Sequence, residues 1–226
     1  MPAGVSTGMK RIVLLAAAAA SLTAFSGPAM AAKPTSGATL TIAVNPALLT
    51  FGHYTTITGA LSSKQTGVPL VLEANPYPYT GKWTQVGNPV NTTTDGAYTF
   101  TALPTMNTKY RVSTQDKPAV TSAEAAVGVR WKVGLGVSDL TPRRGARVRF
   151  HGTVRPAHPN GVVYIQRKSS TGWKNVKQTT MTTGTATSST YSVRLRVRHT
   201  GRYRAVVLGD LAHETGISRV RRLVVH

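Results

Sequence analysis

The sequence predicts an all-β chain built as two tandem Greek-key β-sandwiches of about seven strands each. Three observations carry this. From Thr190 to Leu208, Tyr191, Val193, Leu195 and Val197 alternate with Ser192, Arg194, Arg196 and Arg198, and beyond His199-Thr200-Gly201 the alternation resumes with Tyr203, Ala205 and Val207. A period of two marks strands with one face in a core and the other in water. The pattern also has an earlier copy, because Tyr98-Thr99-Phe100 and Tyr110-Arg111-Val112 precede Tyr191-Ser192-Val193 and Tyr203-Arg204-Ala205 by the same 93 positions. Gly52 and Gly59 map in the same way to Gly145 and Gly152, and Leu70 and Leu72 to Val163 and Ile165. A repeat of this length is domain-sized. Finally, Thr, Ser, Val and Gly dominate over helix formers, and no long segment after residue 32 has a helical apolar period.

Taken in order, residues 1–31 read as a secretory signal peptide helix. Lys10-Arg11 supply a positive start, Ile12 to Phe25 an apolar run, and Ala29-Met30-Ala31 a small-x-small cleavage site. The run is short for a membrane span of roughly 20 residues, so no span is expected after cleavage. Residues 32–38 form a polar lead-in, 39–129 the first sandwich and 130–226 the second.

Strands are expected in the first copy over 39–44, 54–61, 69–74, 82–87, 97–102, 108–114 and 123–129. The turn chemistry of Asn45-Pro46, Thr66-Gly67, Thr80-Gly81, Asp95-Gly96 and Asn107 separates them. The second copy repeats the series over 131–137, 146–154, 161–168, 173–181, 190–198, 201–208 and 217–225. A Thr-rich stretch from Thr179 to Thr190 reads as a solvated loop. Apolar alternation places Ile42, Ile57, Leu72, Tyr98 and Val112 in one core, with Leu135, Phe150, Ile165, Tyr191 and Ala205 as counterparts. Tyr110 and Tyr203, each after a polar turn, are expected to tie that turn to the backbone through their hydroxyls.

The formal charge of +20 is unevenly spread. Residues 32–127 hold six Lys/Arg against Glu73, Asp95, Asp116 and Glu124, a net of +2, whereas residues 128–226 hold nineteen against Asp139, Asp210 and Glu214, a net of +16. Two copies of one scaffold thus differ mainly in charge, so the fold does not require the arginines. If the second strand lies beside the fifth, Arg147, Arg149 and His151 should neighbour Arg194, Arg196 and Arg198 on one sheet face. That face is the candidate anion-binding site.

The copies resemble the bacterial immunoglobulin-like or prealbumin-like modules repeated in exported proteins of high-GC Gram-positive, actinobacterial-type organisms. The resemblance rests on Val163-Tyr164-Ile165-Gln166-Arg167-Lys168 with Gly172-Trp173, on Thr200-Gly201-Arg202-Tyr203-Arg204, and on Asp95-Gly96-Ala97-Tyr98-Thr99-Phe100. It covers about residues 38–226 and implies immunoglobulin-like sandwiches that act as adhesive, spacer or binding units, with no catalytic residues to carry over. The second copy has Ser188-Ser189 in place of the Asp-Gly turn, and its arginine load is no family requirement.

Catalysis is not expected. No nucleophile elbow, zinc-binding H-E-x-x-H or phosphate-binding glycine loop occurs, the seven carboxylates are not repeated between copies, and the six histidines lack metal-ligand spacing. His158 and His213 read as solvated turn residues. No cofactor or metal is implied. With no cysteine, hydrophobic burial alone must hold an exported chain. The expectation is a non-catalytic secreted or cell-surface protein whose basic second domain binds an anionic cell-envelope polymer, an acidic polysaccharide or a membrane surface, and nucleic acid only non-specifically. The alternatives are a carbohydrate-binding module stacking sugar on Tyr77, Tyr79 and Trp83, and a passive structural or adhesion module.

Overall fold

Alternating side chains and Gly/Pro/Asn turns give two β-sandwiches in the computed structural model, which describes residues 37–226. The signal-peptide expectation for residues 1–31, and the lead-in as far as residue 36, lie outside the described residues. In the first sandwich the strands are β1 (Ala43–Asn45), β2 (Leu48–Thr50), β3 (Thr55–Ala60), β4 (Pro69–Pro76), β5 (Thr84–Gln85), β6 (Val90–Asn91), β7 (Ala97–Ala102), β8 (Thr108–Thr114) and β9 (Ala125–Arg130). One sheet has the order β1-β3-β7 and the other β2-β9-β8-β4-β5, with β6 also on β4. The Asn45-Pro46 turn is where the opening strand changes sheets, leaving β3 and running on as β2 parallel to β9.

The second sandwich contains β10 (Lys132–Val133), β11 (Gly136–Val137), β12 (Arg147–Arg155), β13 (Val162–Ser169), β14 (Gly172–Thr180), β15 (Thr182–Thr185), β16 (Ser188–Arg196), β17 (Gly201–Val207), β18 (Gly216–Ile217) and β19 (Arg221–Leu223). Its sheets are β10-β12-β16-β15, with β11 also on β12, and β14-β13-β17-β18, with β19 also on β17. The Thr-rich stretch is no loop. Thr182 and Thr183 pair with Thr190 and Ser189, since β-branched threonine suits a pleated edge open to water.

Each sandwich has its own core. Ile57, Leu72, Tyr98 and Val112 lie in the first, with Ile42 partly buried against it; Leu135, Phe150, Ile165, Tyr191 and Ala205 lie in the second. One device recurs in both. Gly59 faces Tyr98 across β3–β7, and the Tyr98 hydroxyl donates to the Thr41 carbonyl. Gly152 likewise faces Tyr191, whose hydroxyl donates to the Gly134 carbonyl at 2.6 Å. A Cβ on Gly59 would lie 2.0 Å from the Thr41 oxygen, and one on Gly152 would lie 2.1 Å from the Gly134 oxygen. The missing side chain is what lets the first strand close over the ring. Burial pushes the Tyr98 hydroxyl up to about 12 and raises that of Tyr191 further, so both remain protonated donors. These two tyrosines take the tethering role expected of Tyr110 and Tyr203, whose hydroxyls have no backbone partner among the described residues.

Arg130 ends β9 and Lys132 begins β10, with only Trp131 between them. The indole of Trp131 is buried in the second core and stacks on His213, with ring centroids 3.9 Å apart, while His158 lies on it at 4.7 Å. His213 is therefore buried rather than solvated. Its Nε2–H donates to the Thr105 carbonyl of the first sandwich at 3.0 Å. Asn107 adds three bonds across the same boundary: its N–H donates to the Ala212 carbonyl, and Nδ2 to the Leu211 carbonyl and a Glu214 carboxylate oxygen.

Candidate functional site

Strand β12 reads RVRFHGTVR, with Val148, Phe150 and Val154 buried and Arg147, Arg149, Thr153 and Arg155 exposed. Strand β16 runs antiparallel beside it. The register sets Arg147 opposite Arg196, Arg149 opposite Arg194 and His151 opposite Ser192. Directly opposed side chains on adjacent strands stand roughly 5 Å apart at Cβ, and like charges in that position repel. Arg198 lies just beyond the end of β16, exposed on the same outward phase. The His151 ring lies over Gly136, where a Cβ would come within 2.6 Å of it. A shallow depression of about 310 Å³ runs along this face from Arg149 and His151 to Thr153, Thr182 and Thr190.

No carboxylate relieves the charge. The ion pairs among the described residues are Lys109–Glu124 and Arg111–Glu73, the His213 ring also lies 3.7 Å from Asp210, and none of these includes an arginine of the second sandwich. Its three acids are occupied elsewhere. Asp139 accepts from the Thr141 N–H, Asp210 accepts from the N–H groups of Ala212 and His213, and Glu214 accepts from Asn107. Further opposed cations stand elsewhere in the second sandwich: Arg202 and Arg222 on β17–β19, Lys132 and Arg155 on β10–β12, and Arg167 and Lys174 on β13–β14. The sequence reading did not single them out, because their registers depend on which strands the fold pairs.

The aromatic loop does not make a flat platform. Tyr77 and Tyr79 meet edge to face at 90°, with centroids 5.7 Å apart, and the Arg111 guanidinium lies 4.3 Å from the centre of the Trp83 ring. Coplanar rings with a free common face, which sugar stacking requires, are absent from this set. Trp83 has a structural task instead. Arg111 is held between its ring and Glu73, and the second sandwich repeats the arrangement with Arg204 over Trp173 at 4.3 Å and bonded to Gln166.

Among the described residues no group of three or more His, Cys, Asp or Glu could hold a metal ion, and no helix is long and apolar enough to cross a membrane. Compared with known proteins, the chain matches no protein-family model and no curated protein. Among solved structures it is similar to one described as a crystal structure of a tetra-tandem repeat in the extending region of a large adhesion protein, at 16% identity and a TM-score of 0.37. The match covers 82% of this chain and 48% of that one, so the chain spans about half the length of the matched structure. At that TM-score the likeness carries no weight for function, which rests on the residues themselves.

Proposed function

We propose that the protein is a non-catalytic binding module of the cell envelope or the extracellular space, and that the β12–β16 face of its second sandwich captures an anionic polymer. The observation that supports this is the register: Arg147–Arg196 and Arg149–Arg194 are opposed in pairs with no carboxylate in reach. Opposed cations work against folding, and the scaffold does without them at the equivalent positions of the first sandwich, where Thr56 faces Thr101 and where Tyr54 and Leu103 stand in place of Arg147 and Arg196. A row of guanidinium forks suits successive phosphate, sulfate or carboxylate groups. The partner class is therefore a cell-wall polyanion, an acidic polysaccharide or an anionic membrane surface.

The test is binding of the full chain to a poly(glycerol phosphate), a polyuronate and anionic vesicles across a salt series. Polyanion capture should weaken steeply with ionic strength, and replacing Arg149, Arg194 and Arg196 by Ser should lower affinity by about tenfold or more while strand structure persists. Undiminished binding by the triple variant would return the charge to a role in solubility alone.

A further inference from the structure

The second sandwich turns a cation of β13 inward. Arg167 on β13 faces Tyr203 on β17, two registers from the buried pair Ile165–Ala205, so it lies on the core side of the sheet. Its guanidinium occupies room left by Gly201, where a Cβ would fall 2.7 Å from Nε. Nη2 donates to the Thr200 carbonyl at 3.1 Å, whereas Nε is sealed from solvent and has no acceptor. A buried N–H without an acceptor is costly. The scaffold has an apolar alternative, because at the same register of the first sandwich Ala74 faces Tyr110 and Thr108 stands where Gly201 stands. An inward arginine and the glycine that admits it are thus paired departures of the second copy.

Around Arg167, a recess of about 160 Å³ is walled by Leu195 and Arg196 at the end of β16, by Arg198 and His199 of the β16–β17 turn, and by Val176 and Tyr203. Three arginines from both sheets line it, with no carboxylate among the lining residues. A planar carboxylate offers two oxygens in one plane. A tetrahedral group offers oxygens in several directions, which suits donors carried on more than one strand, and arginine forks bind it bidentately.

We propose that this recess is a discrete subsite for a phosphate- or sulfate-ester group. It deepens the proposed function, since Arg196 belongs both to the arginine face and to the recess, so a polymer lying along β12–β16 would seat one anionic group beside Arg167.

Titration of the full chain with inorganic phosphate, sulfate and acetate, followed by NMR of the arginine Nε–H resonances, tests the subsite. Phosphate and sulfate should shift the Arg167 signal saturably, and acetate should need about tenfold more. Gly201→Ala displaces the guanidinium without changing charge, and Arg198→Ser removes one wall; each should weaken phosphate binding by about tenfold. Arg222→Ser, which loses the same charge outside the recess, should stay within about twofold. If Gly201→Ala folds poorly, Arg167→Ala restores the residue type of the first copy and should fold yet lose the site. Equal response to acetate and phosphate, or unchanged phosphate binding in Arg198→Ser and Arg167→Ala, would overturn the subsite. If polymer binding still depends on Arg149 and Arg194 in that case, the arginine face stands alone. Saturable phosphate binding with no polymer binding would retain the subsite and remove the face.

Discussion

At matching positions the two sandwiches set threonine opposite threonine in one and arginine opposite arginine in the other: Thr56–Thr101 against Arg149–Arg194. Everything that holds these strands together is shared. Both pairs lie between the strand after the first turn and the strand after the long connection, both turns carry a glycine at a positive φ, 85° at Gly52 and 86° at Gly145, and both strand pairs close a tyrosine over a glycine. The difference teaches which residues the fold needs. Glycine and tyrosine at the inward positions are architectural, while the outward positions are free, and the second copy has filled them with one sign of charge.

Four measurements would break or sharpen this comparison, the largest effect first. Phe150 is completely buried, as is its counterpart Ile57. Phe150→Ala should destabilise the second sandwich by about 3–5 kcal/mol, with hydrogen exchange quickening there and little changed around Ile57. Collapse of both cores together would show that the copies do not stand on separate cores. Next, Tyr98→Phe and Tyr191→Phe should each lower stability by about 1 kcal/mol in chemical denaturation. A large cost in only one copy would mean that the tether is not a common device.

The arginine ladder should give a smaller effect of the opposite sign. Arg149→Ser with Arg194→Ser should stabilise the second sandwich by about 0.2–1 kcal/mol at low salt, and the gain should vanish at high salt as screening removes the repulsion. Thr56→Ser with Thr101→Ser should show no such salt dependence.

The smallest effect is at the boundary. Burial holds the His213 imidazole below the ordinary histidine value of 6.5, and His158 pushes the same way, against the Thr105 carbonyl and Asp210. A lowered folded value means that the unfolded chain takes up the proton first. The stabilisation is therefore present above about pH 6.5 and is lost as pH falls through the folded value. His213→Gln keeps a donor for Thr105, so its melting temperature should fall less than that of the natural protein between about pH 7 and pH 5. An identical decline in both would place the acid sensitivity elsewhere.

Much of this was legible in the sequence. The 93-residue offset and the period of two located the core residues, and pairing the second strand with the fifth was enough to bring Arg149 beside Arg194. What could not be read depends on contacts between distant residues or on a charged side chain at an inward position. His213 looks like a turn residue because its burial comes from Trp131 and Thr105, the latter 108 positions away. Arg167 keeps the inward phase of Val163 and Ile165, but as a charged residue in the polar run Gln166-Arg167-Lys168 it reads as solvated. Tyr98 and Tyr110 both alternate correctly, and only the glycine opposite Tyr98 marks it as the tether.

The parallel lie of β2 on β9 has a mechanical consequence. A pull along the chain drags β2 by its leading end and β9 by its trailing end, and in a parallel pair these ends are at opposite extremes. The pair is therefore loaded in shear, with bonds such as Gly128 N–H to the Ala47 carbonyl and Phe51 N–H to the Arg130 carbonyl stretched together. In the second sandwich β10 and β11 pair antiparallel with β12, and the last strands β18 and β19 pair only with β17. Between β11 and β12, however, the chain runs alongside its last residues in the same parallel sense, with the Val224 and His226 N–H groups donating to the Leu140 and Pro142 carbonyls and the Arg144 N–H to the His226 carbonyl. Stretched as a tether, the chain carries a shear-loaded contact in each sandwich, so single-molecule pulling should resolve two ruptures of similar force.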